Sequence, residues 1–283
     1  TSVKLATKTP MQMLWPVYVR FSMASAKDIV VKPVSAKAAN DVVKSVHYSG
    51  KVVPNSKLHF GVFLNGRLEG VMSFGPSMDK RKSLAFVEGT SWNGFLELNR
   101  MAFSEKLPKN SESRAIGVAM RLIKKHYPHV DWVISYADGS QCGDGTIYRA
   151  SGFVLTGIKK NTSMLRFPDG EVYATLSITN GSSAVKRRLC EKWGLPLYGA
   201  ASVAPFKKIG AELIPGFQLR YMYFIDPTAR ERLTVPILPF SKIDEMGAGM
   251  YRGEARVKQA TTDDQSAGRR GSTDPHAPTP EVQ

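Results

Sequence analysis

Two stretches of the chain carry residue types at spacings that could do chemistry. The first is Glu97-Leu98-Asn99-Arg100-Met101-Ala102-Phe103, followed by a polar segment from Ser104 to Ser113 and a run from Arg114 to His126. A strand, a polar loop and a helix in that order aim the helix's free N–H groups and positive dipole end at the loop, an arrangement that holds phosphate. Arg114-x-x-Gly117-x-Ala119 lies inside this helix and also admits a plainer reading, a small residue packed on a sheet. The second stretch is Ser135-Tyr136-Ala137-Asp138-Gly139-Ser140-Gln141-Cys142-Gly143-Asp144-Gly145. Glycine lets backbone approach a ligand closely. Asp138 falls at a predicted strand's C-terminal end, where open α/β sheets place their sites. The plainer alternative is a long loop whose Asp caps the next helix, and Asp144 fits that better than Asp138.

These side chains need elements to position them. Val30 to Val34 predicts a strand, Ser35 an N-cap, and Ala38, Ala39, Val42, Val43 and Val46 a helix ending at His47. Leu58, Phe60, Val62 and Leu64 alternate, as do Leu68, Met72 and Phe74. Asn65-Gly66 between them suits a type I′ turn, in which both residues take positive φ. Phe95 to Phe103 predicts a strand, and Ile116, Met120 and Ile123 stripe a helix down to His126, with Pro128 closing the segment. Val130 to Tyr136 predicts a strand, then a short helix runs through Tyr148, and Gly152-Phe153 opens another strand. Pro168-Asp169-Gly170 turns a hairpin between residues 162–167 and 171–178; a basic helix spans 183–193 and a strand 218–225. There is no internal repeat. A mixed sheet with helices on both faces is the natural packing.

The 283 residues carry a formal charge of +15. Five Lys/Arg and five Asp/Glu lie in 252–283, so the whole excess belongs to the first 251 residues. A basic folded part suits a polyanion partner, nucleic acid before an uncommitted soluble surface. Residues 252–283 contain no aromatic and no Leu, Ile, Met or Phe. The organisation expected is an N-terminal arm over 1–27, a folded domain over 28–250 and a disordered tail over 251–283. No run of 18 uncharged apolar residues predicts a membrane span. The apolar stretch from Met11 to Met23 is broken by Arg20 and lacks a cleavage signature, so no signal peptide is expected. Cys142 and Cys190 form neither a disulfide framework nor a zinc spacing, which fits a reducing cytoplasm. His47, Tyr48, His59, Asp138 and Cys142 are ligand types, yet no H-x-x-x-H, H-x-D or C-x-x-C spacing supports a metal, so none is assigned.

Three of these features occur together and in order: Arg114-x-x-Gly117-x-Ala119, Tyr148-Arg149-Ala150-Ser151-Gly152-Phe153, and the Asn65-Gly66 hairpin followed by Leu68-Glu69-Gly70-Val71. They resemble the pyrophosphate signature, the Y-x-x-x-G-F ending and the second and third strands of the GNAT superfamily of N-acetyltransferases. The resemblance implies a GNAT-like α/β fold whose two neighbouring parallel strands splay, here 95–103 and 130–136. The donor's pantetheine arm would sit in that V, against the free strand edge of Leu98 to Ala102. His47-Tyr48, Asn99-Arg100, the Gly-rich run around Asp138 and Tyr148 further resemble the Mom DNA-modification proteins of Mu-type bacteriophages, over most of residues 28–250. That resemblance implies a transferase that converts adenine in DNA to N6-carbamoylmethyladenine and protects it from host restriction, acting in the host cytoplasm. The family residues it carries over are His47, Tyr48, Arg100, Ser113, Asp138 and Tyr148.

An exocyclic amine is a poor nucleophile and faces into the duplex, so the base must be flipped and the nitrogen must lose a proton as it attacks. Asp138 or His47 is the candidate base and Tyr148 the candidate acid for the leaving group. Arg100 is the anchor for donor phosphate or developing oxyanion charge. Ser113, with Arg114 and Gly117, is expected at the phosphate loop, Ser113 as helix cap and phosphate donor. Tyr48 is a base-stacking candidate. Lys124-Lys125 and Lys186-Arg187-Arg188 are candidate phosphate contacts. Each has a plainer alternative: His47 complementing a helix C-terminus, Arg100 pairing with Glu97, Tyr48 at a core edge, the lysines on a solvated face.

The donor is open between acetyl-CoA and glycyl-tRNA. Acetyl lacks the nitrogen that carbamoylmethyl contains, whereas a glycyl group adds the same atoms. The partners expected are double-stranded DNA and, for that donor, tRNA; oligomeric state is open, a homodimer included. Two other classes compete: a conventional GNAT acetylating a protein or small amine, and a non-enzymatic DNA-binding protein on a GNAT scaffold.

Overall fold

The computed structural model describes residues 24–47, 49–181, 183–197, 202–251 and 254–255. Tyr48, most of the expected arm and all but three residues of the expected tail lie outside them. The described residues form two compact units. The first takes those up to 136 with 145–157 and 220–238; the second takes 137–144, 158–219 and those from 239.

In the first unit a 3-10 turn at Ala26–Asp28 is closed by a capping box between Ser25 and Asp28. In chain order there follow β1 (Val30–Pro33), α1 (Ala36–Val46), β2 (Leu58–Leu64), β3 (Arg67–Gly75), α2 (Lys80–Leu84), β4 (Phe95–Phe103), α3 (Ser111–His126), β5 (Trp132–Asp138), α4 (Thr146–Ala150) and β6 (Val154–Arg166), of which 137–138 and 158–166 already belong to the second unit. The chain then leaves this unit through β7 (Val172–Ala174), α5 (Thr175–Thr179), α6 (Ala184–Lys192) and α7 (Ala204–Lys208). It returns on β8 (Glu212–Phe224), then α8 (Thr228–Glu231), with α9 (Ser241–Glu245) beyond. The strand order is β1-β2-β3-β4-β5-β8-β6-β7. The first three pairings are antiparallel and β4–β5 is parallel, so the sheet is mixed and the fold α/β.

Local sequence explains most of this. Ser35 caps α1 by accepting from the Ala38 N–H. Asn65 and Gly66 both take positive φ, 50° and 76°, and turn β2 into β3. Ala39 and Val43 of α1 pack on Val71 and Ala102. Trp132 lies wholly buried, stacked on Phe95 at 4.3 Å, its indole N–H donating to Thr90. In α3, Ala115, Ile116, Ala119, Met120 and Ile123 are buried, the stripe read from the sequence.

Four expectations shift. Helix α3 starts at Ser111, inside the stretch expected as loop, because Asn110 takes a left-handed φ of 69° and turns the chain there. Its N-cap is Asn110, and Ser113 is a residue of the first turn. Strand β5 starts at Trp132, since the Val130 N–H is tied into a turn on the Tyr127 carbonyl. The hairpin strand expected over 171–178 is only β7, and the chain coils into α5 at Thr175, where Ile178 joins Leu189, Cys190 and Phe206 in the second unit's core. In the expected tail, Glu254 and Ala255 pair antiparallel with Tyr251 and Met250. No helix of the described residues is long and apolar enough to cross a membrane.

Candidate active site

The site is built where β4 leaves β5. The parallel ladder pairs Phe95 with Trp132, Leu96 with Val133 and Glu97 with Ile134, and stops there. Ser135 Oγ donates to the Leu98 carbonyl at 3.3 Å. Past that point β4 remains paired with β3 through Phe103, so its other edge is free, as the splayed-strand expectation requires. The β3 register passes from Ser73 opposite Arg100 to Phe74 opposite Leu98. Asn99 is therefore the extra residue of a bulge, a device that re-aims side chains.

Arg100 Nε donates to the Lys51 carbonyl at 3.0 Å and Nη1 to the Asn99 carbonyl at 2.9 Å. Among the described residues no carboxylate ion-pairs with it, so the Glu97 pair weighed from the sequence does not form. Glu97 is instead held by the Ser77 hydroxyl, the Asn99 side chain and the Met78 N–H, and burial outweighs these to push its carboxyl above the usual range. Ser77 in turn accepts from Ser83, and Ser83 bonds Tyr136, whose hydroxyl is pushed up by burial and by Glu97. Arg220 stacks on Phe86 at 3.9 Å, with Nε on Thr156 Oγ1 at 2.9 Å, next to Tyr136. Glu97 entered the sequence reading only as a partner for Arg100. Two of the three contacts that distinguish it, Ser77 and Met78, come from about twenty positions away.

His47 closes α1, its N–H donating to Val43. Its Nδ1 accepts the Ser49 backbone N–H at 3.2 Å and lies 2.9 Å from the Ser49 hydroxyl. A backbone N–H only donates, so the ring proton is on Nε2. Burial first, then the Arg100 guanidinium, pushes the imidazole down to about 4. The ring is neutral at pH 7, which removes the cationic complement to the helix end.

A hollow of about 360 Å³ opens at the far end of β4, between the start of α3 and α4. Phe103, Leu107, Asn110, Ser113, Thr146 and Ile147 are in its lining. Lys109 favours an anion there and Glu105 and Glu112 oppose one. Ser111 Oγ is fully buried at this helix start with no hydrogen-bond partner. Ser113 Oγ donates to the Asn110 carbonyl at 3.2 Å. Arg114 is exposed, and a Cβ on Gly117 would meet nothing nearer than Arg121 Nη1 at 3.8 Å. Internal packing does not demand glycine at 117, whereas Ala119 is wholly buried, as the packed-small-residue alternative has it. Lys124 and Lys125 sit in the last turn, ~16 Å from Ser113 at helical rise. They complement the dipole there and do not join the hollow.

Tyr148 lies in α4, whose Thr146, Ile147 and Ala150 line the hollow. Its ring packs on Tyr221 at 5.3 Å and on Phe153 at 5.4 Å. The Phe153 N–H donates to the Tyr148 carbonyl and the Gly152 N–H to that of Arg149, with Gly152 at φ 83°. This is a Schellman cap, the physical content of the Tyr-x-x-x-Gly-Phe spacing. Gly145 starts the helix at φ 83°, and a Cβ there would fall 2.3 Å from the Tyr221 ring.

Asp138, in the second unit, has both oxygens engaged. Oδ1 accepts from Ser140 N–H at 3.0 Å and Oγ at 2.5 Å, and Oδ2 accepts from Asn161 Nδ2 at 2.9 Å. Its carbonyl accepts from Gln141 and Cys142, so the residue ties the Gly-rich turn together. Asp144 is buried, and the N-cap position of α4 is held by Gly145, which has no side chain to cap with. Burial pushes the Cys142 thiol up. Of the basic helix α6, Lys186 is buried and Arg188 bonds Tyr173 and faces Glu171, which leaves Arg187 as the outward cation of the three. His59 bonds Ser73 at 2.9 Å. No group of three His, Cys, Asp or Glu among the described residues could hold a metal ion.

Comparison with known proteins adds to this geometry. Residues 28–242 match the model of the Mom protein family. A methylcarbamoylase, Mom of Escherichia phage Mu, is 34% identical over 213 residues, 75% of this chain and 82% of the relative. That identity makes the chain a relative of the phage protein and not a copy of it. Likeness to solved structures is slight. A Bacillus subtilis acetyltransferase in complex with CoA overlaps at TM-score 0.36 and 10% identity, over 69% of this chain and 97% of that one. A GNAT family acetyltransferase from Elizabethkingia anophelis with acetyl-CoA bound overlaps at TM-score 0.34 and 13% identity, over 70% and 98%.

Proposed function

The chain belongs to the Mom protein family, and from that premise we propose that it is a DNA-modifying transferase. In this reading it converts adenine to N6-carbamoylmethyladenine, which protects the DNA from restriction endonucleases in the host cytoplasm. The observation that carries the proposal is the fork. Strand β4 parts from β5 at Glu97, beside Arg100, and its free edge leads to a hollow lined by the helix of Tyr148.

The residues around the hollow suit an acyl-CoA donor. The Ser113 hydroxyl of its lining, the exposed Arg114 and the open face at Gly117 would hold its phosphates at the start of α3, and the Ser111 hydroxyl, fully buried and outside the lining, would join them only if that turn opened. The donor supplies an activated acyl carbon. N6 would attack that carbon, a C–N bond forming as the C–S bond breaks, which leaves an N6-acyl adenine. An acetyl group stops there, and only a glycyl group carries the atoms needed to go on to carbamoylmethyl. Glu97, raised by burial and placed on β4 where the fork opens, takes the N6 proton, the role expected of Asp138 or His47. Tyr148 gives its proton to the departing sulfur. His47, a neutral Nε2–H donor, and Arg100 stabilise the developing oxyanion. Asp138 positions the Gly-rich turn. With glycyl-tRNA as donor the same groups serve, a C–O bond breaking instead. Attack of the glycyl amine on ring carbon C6, with the original C6–N6 bond breaking, then converts N6-glycyl to its carbamoylmethyl isomer, the former N6 becoming the carboxamide nitrogen. The +15 charge suits DNA and tRNA alike.

Nucleoside mass spectrometry of DNA from cells expressing the chain tests this. A new deoxyadenosine species heavier by one glycyl-equivalent unit, lost in Tyr148→Phe and Glu97→Gln, supports it. Growth on glycine labelled at carbon and nitrogen reports the donor: both labels reach the base from glycyl-tRNA. Unchanged nucleosides alongside soluble, folded protein overturn the reading in favour of a protein or small-amine acceptor.

A further inference from the structure

The loop that supplies two of the three contacts to Glu97 ends in a side chain the fold does not use. Among the large apolar residues described, Met78 is the most exposed, at 92%. Its own backbone N–H and the neighbouring Ser77 are bonded to Glu97, and Ser77 is buried. The root of the loop is therefore fixed to the fork, and its tip stands in solvent. Cations follow at once. Lys80 is held over Trp92 at 4.5 Å and against Asn93 at 3.1 Å. Arg81 and Lys82 are exposed and, among the described residues, form no ion pair. A single exposed Met is ordinary. One rooted at a reaction fork and followed by free cations is a recurring way to enter DNA, an apolar wedge between phosphate contacts.

We infer that Met78 is a wedge that enters the base stack of duplex DNA and fills the space left when the target adenine is extruded toward Glu97, with Arg81 and Lys82 on the flanking phosphates. The inference rests on the DNA-modifying reading above and adds how the duplex is opened. Extrusion costs stacking and pairing, and a side chain that occupies the gap offsets part of that cost. Because the loop that carries the wedge is bonded to Glu97 through Ser77 and the Met78 N–H, insertion and delivery of the base are coupled. Trp92, exposed under Lys80 from the segment between α2 and β4, adds a second apolar surface against the backbone.

The test uses the full chain and a duplex library in which 2-aminopurine replaces one adenine between randomised flanks. This base lacks N6, so the readout is unstacking and not chemistry. The wild type is expected to bind and raise the fluorescence several-fold. Met78→Ala should bind within about threefold of wild type yet lose most of that rise, and Met78→Leu should restore it. Met78 touches little, so neither change threatens folding. In a separate binding series, Arg81→Ser with Lys82→Ser should lower the slope of log affinity against log salt by about two. On natural DNA, Met78→Ala should cut modification of duplex at least tenfold while leaving single strands within twofold. Equal fluorescence from wild type and Met78→Ala, or equal loss on duplex and single strands, overturns the wedge. Unstacking by the wild type without any modified nucleoside in cells overturns the transferase reading and leaves the wedge standing. No duplex binding by the wild type overturns both.

Discussion

The backbone N–H of Ser49 donates to Nδ1 of His47 at 3.2 Å, and that one bond fixes which nitrogen of the ring carries the proton. Protonation of the ring would have to break it, in a half-buried place beside the Arg100 guanidinium. An NMR titration should therefore find His47 with a pKa near 4, well below the free imidazole. The sign for stability follows. As pH falls from about 6.5 to about 4, the unfolded chain takes a proton at this position that the folded chain refuses, so stability declines across that window. His47→Gln should flatten part of the slope, as measured by urea denaturation at several pH values. A His47 that titrates near 6.5 in the folded protein would contradict the assigned tautomer.

Glu97 behaves in the opposite sense. Its carboxyl is raised by burial, so the folded state holds its proton at pH values where the unfolded chain has lost it. Stability is lost as pH rises from the ordinary carboxylate value through the raised one. Glu97→Gln removes that loss and should leave the protein at least as stable as wild type at pH 7. Activity should move the other way. The wild-type rate should rise with pH through an inflection above the usual carboxylate range, and the variant should lose at least a hundredfold, the usual contribution of a general base. Retained activity with an unchanged pH profile would assign the proton to another group.

Ser111 separates stability from binding. A buried hydroxyl without a partner costs free energy, so Ser111→Ala in donor-free protein should be neutral or stabilising by about 1 kcal/mol. If that hydroxyl waits for a donor phosphate, the same change should reduce the thermal shift given by acetyl-CoA. Calorimetric melting with and without acetyl-CoA reads both effects. An equal shift in wild type and variant removes Ser111 from the donor site.

What could be read in the sequence was local. Asn65-Gly66 had to turn because two adjacent residues needed positive φ, and Tyr148 to Phe153 carried its helix cap in its own spacing. Strand β4 and the end of α3 matched their predicted bounds because single periodicities ran uninterrupted through them. The stretch Thr175-Leu176-Ser177-Ile178-Thr179 misled because it alternates polar and apolar like a strand. Its helix is decided by Ile178 reaching Leu189 and Cys190, while Leu176 stays exposed. The environment of Glu97 was hidden for a similar reason. Ser77 and Met78 reach it from just past the end of β3, whose Gly75 pairs with Glu97, and the Asn99 bulge exists only in the register of two strands.

Asp138 gives the last prediction, because its sequence position suits a catalytic base and its contacts suit a brace. Replacement by Asn preserves an acceptor for Ser140 but turns an amide donor toward the Asn161 donor. Asn161 cannot flip freely to correct this, since its Oδ1 already accepts the Ser163 N–H at 3.0 Å. One hydrogen bond is lost, so Asp138→Asn should cost about 1 kcal/mol by urea denaturation. Asn161→Ala removes the same bond from the other side and leaves the carboxylate intact. If Asp138 acts by positioning, the two variants should lower DNA modification to a similar extent, within about threefold of each other, with the wild-type pH profile. Loss of modification in Asp138→Asn with near-normal modification in Asn161→Ala would instead make the carboxylate itself the proton acceptor.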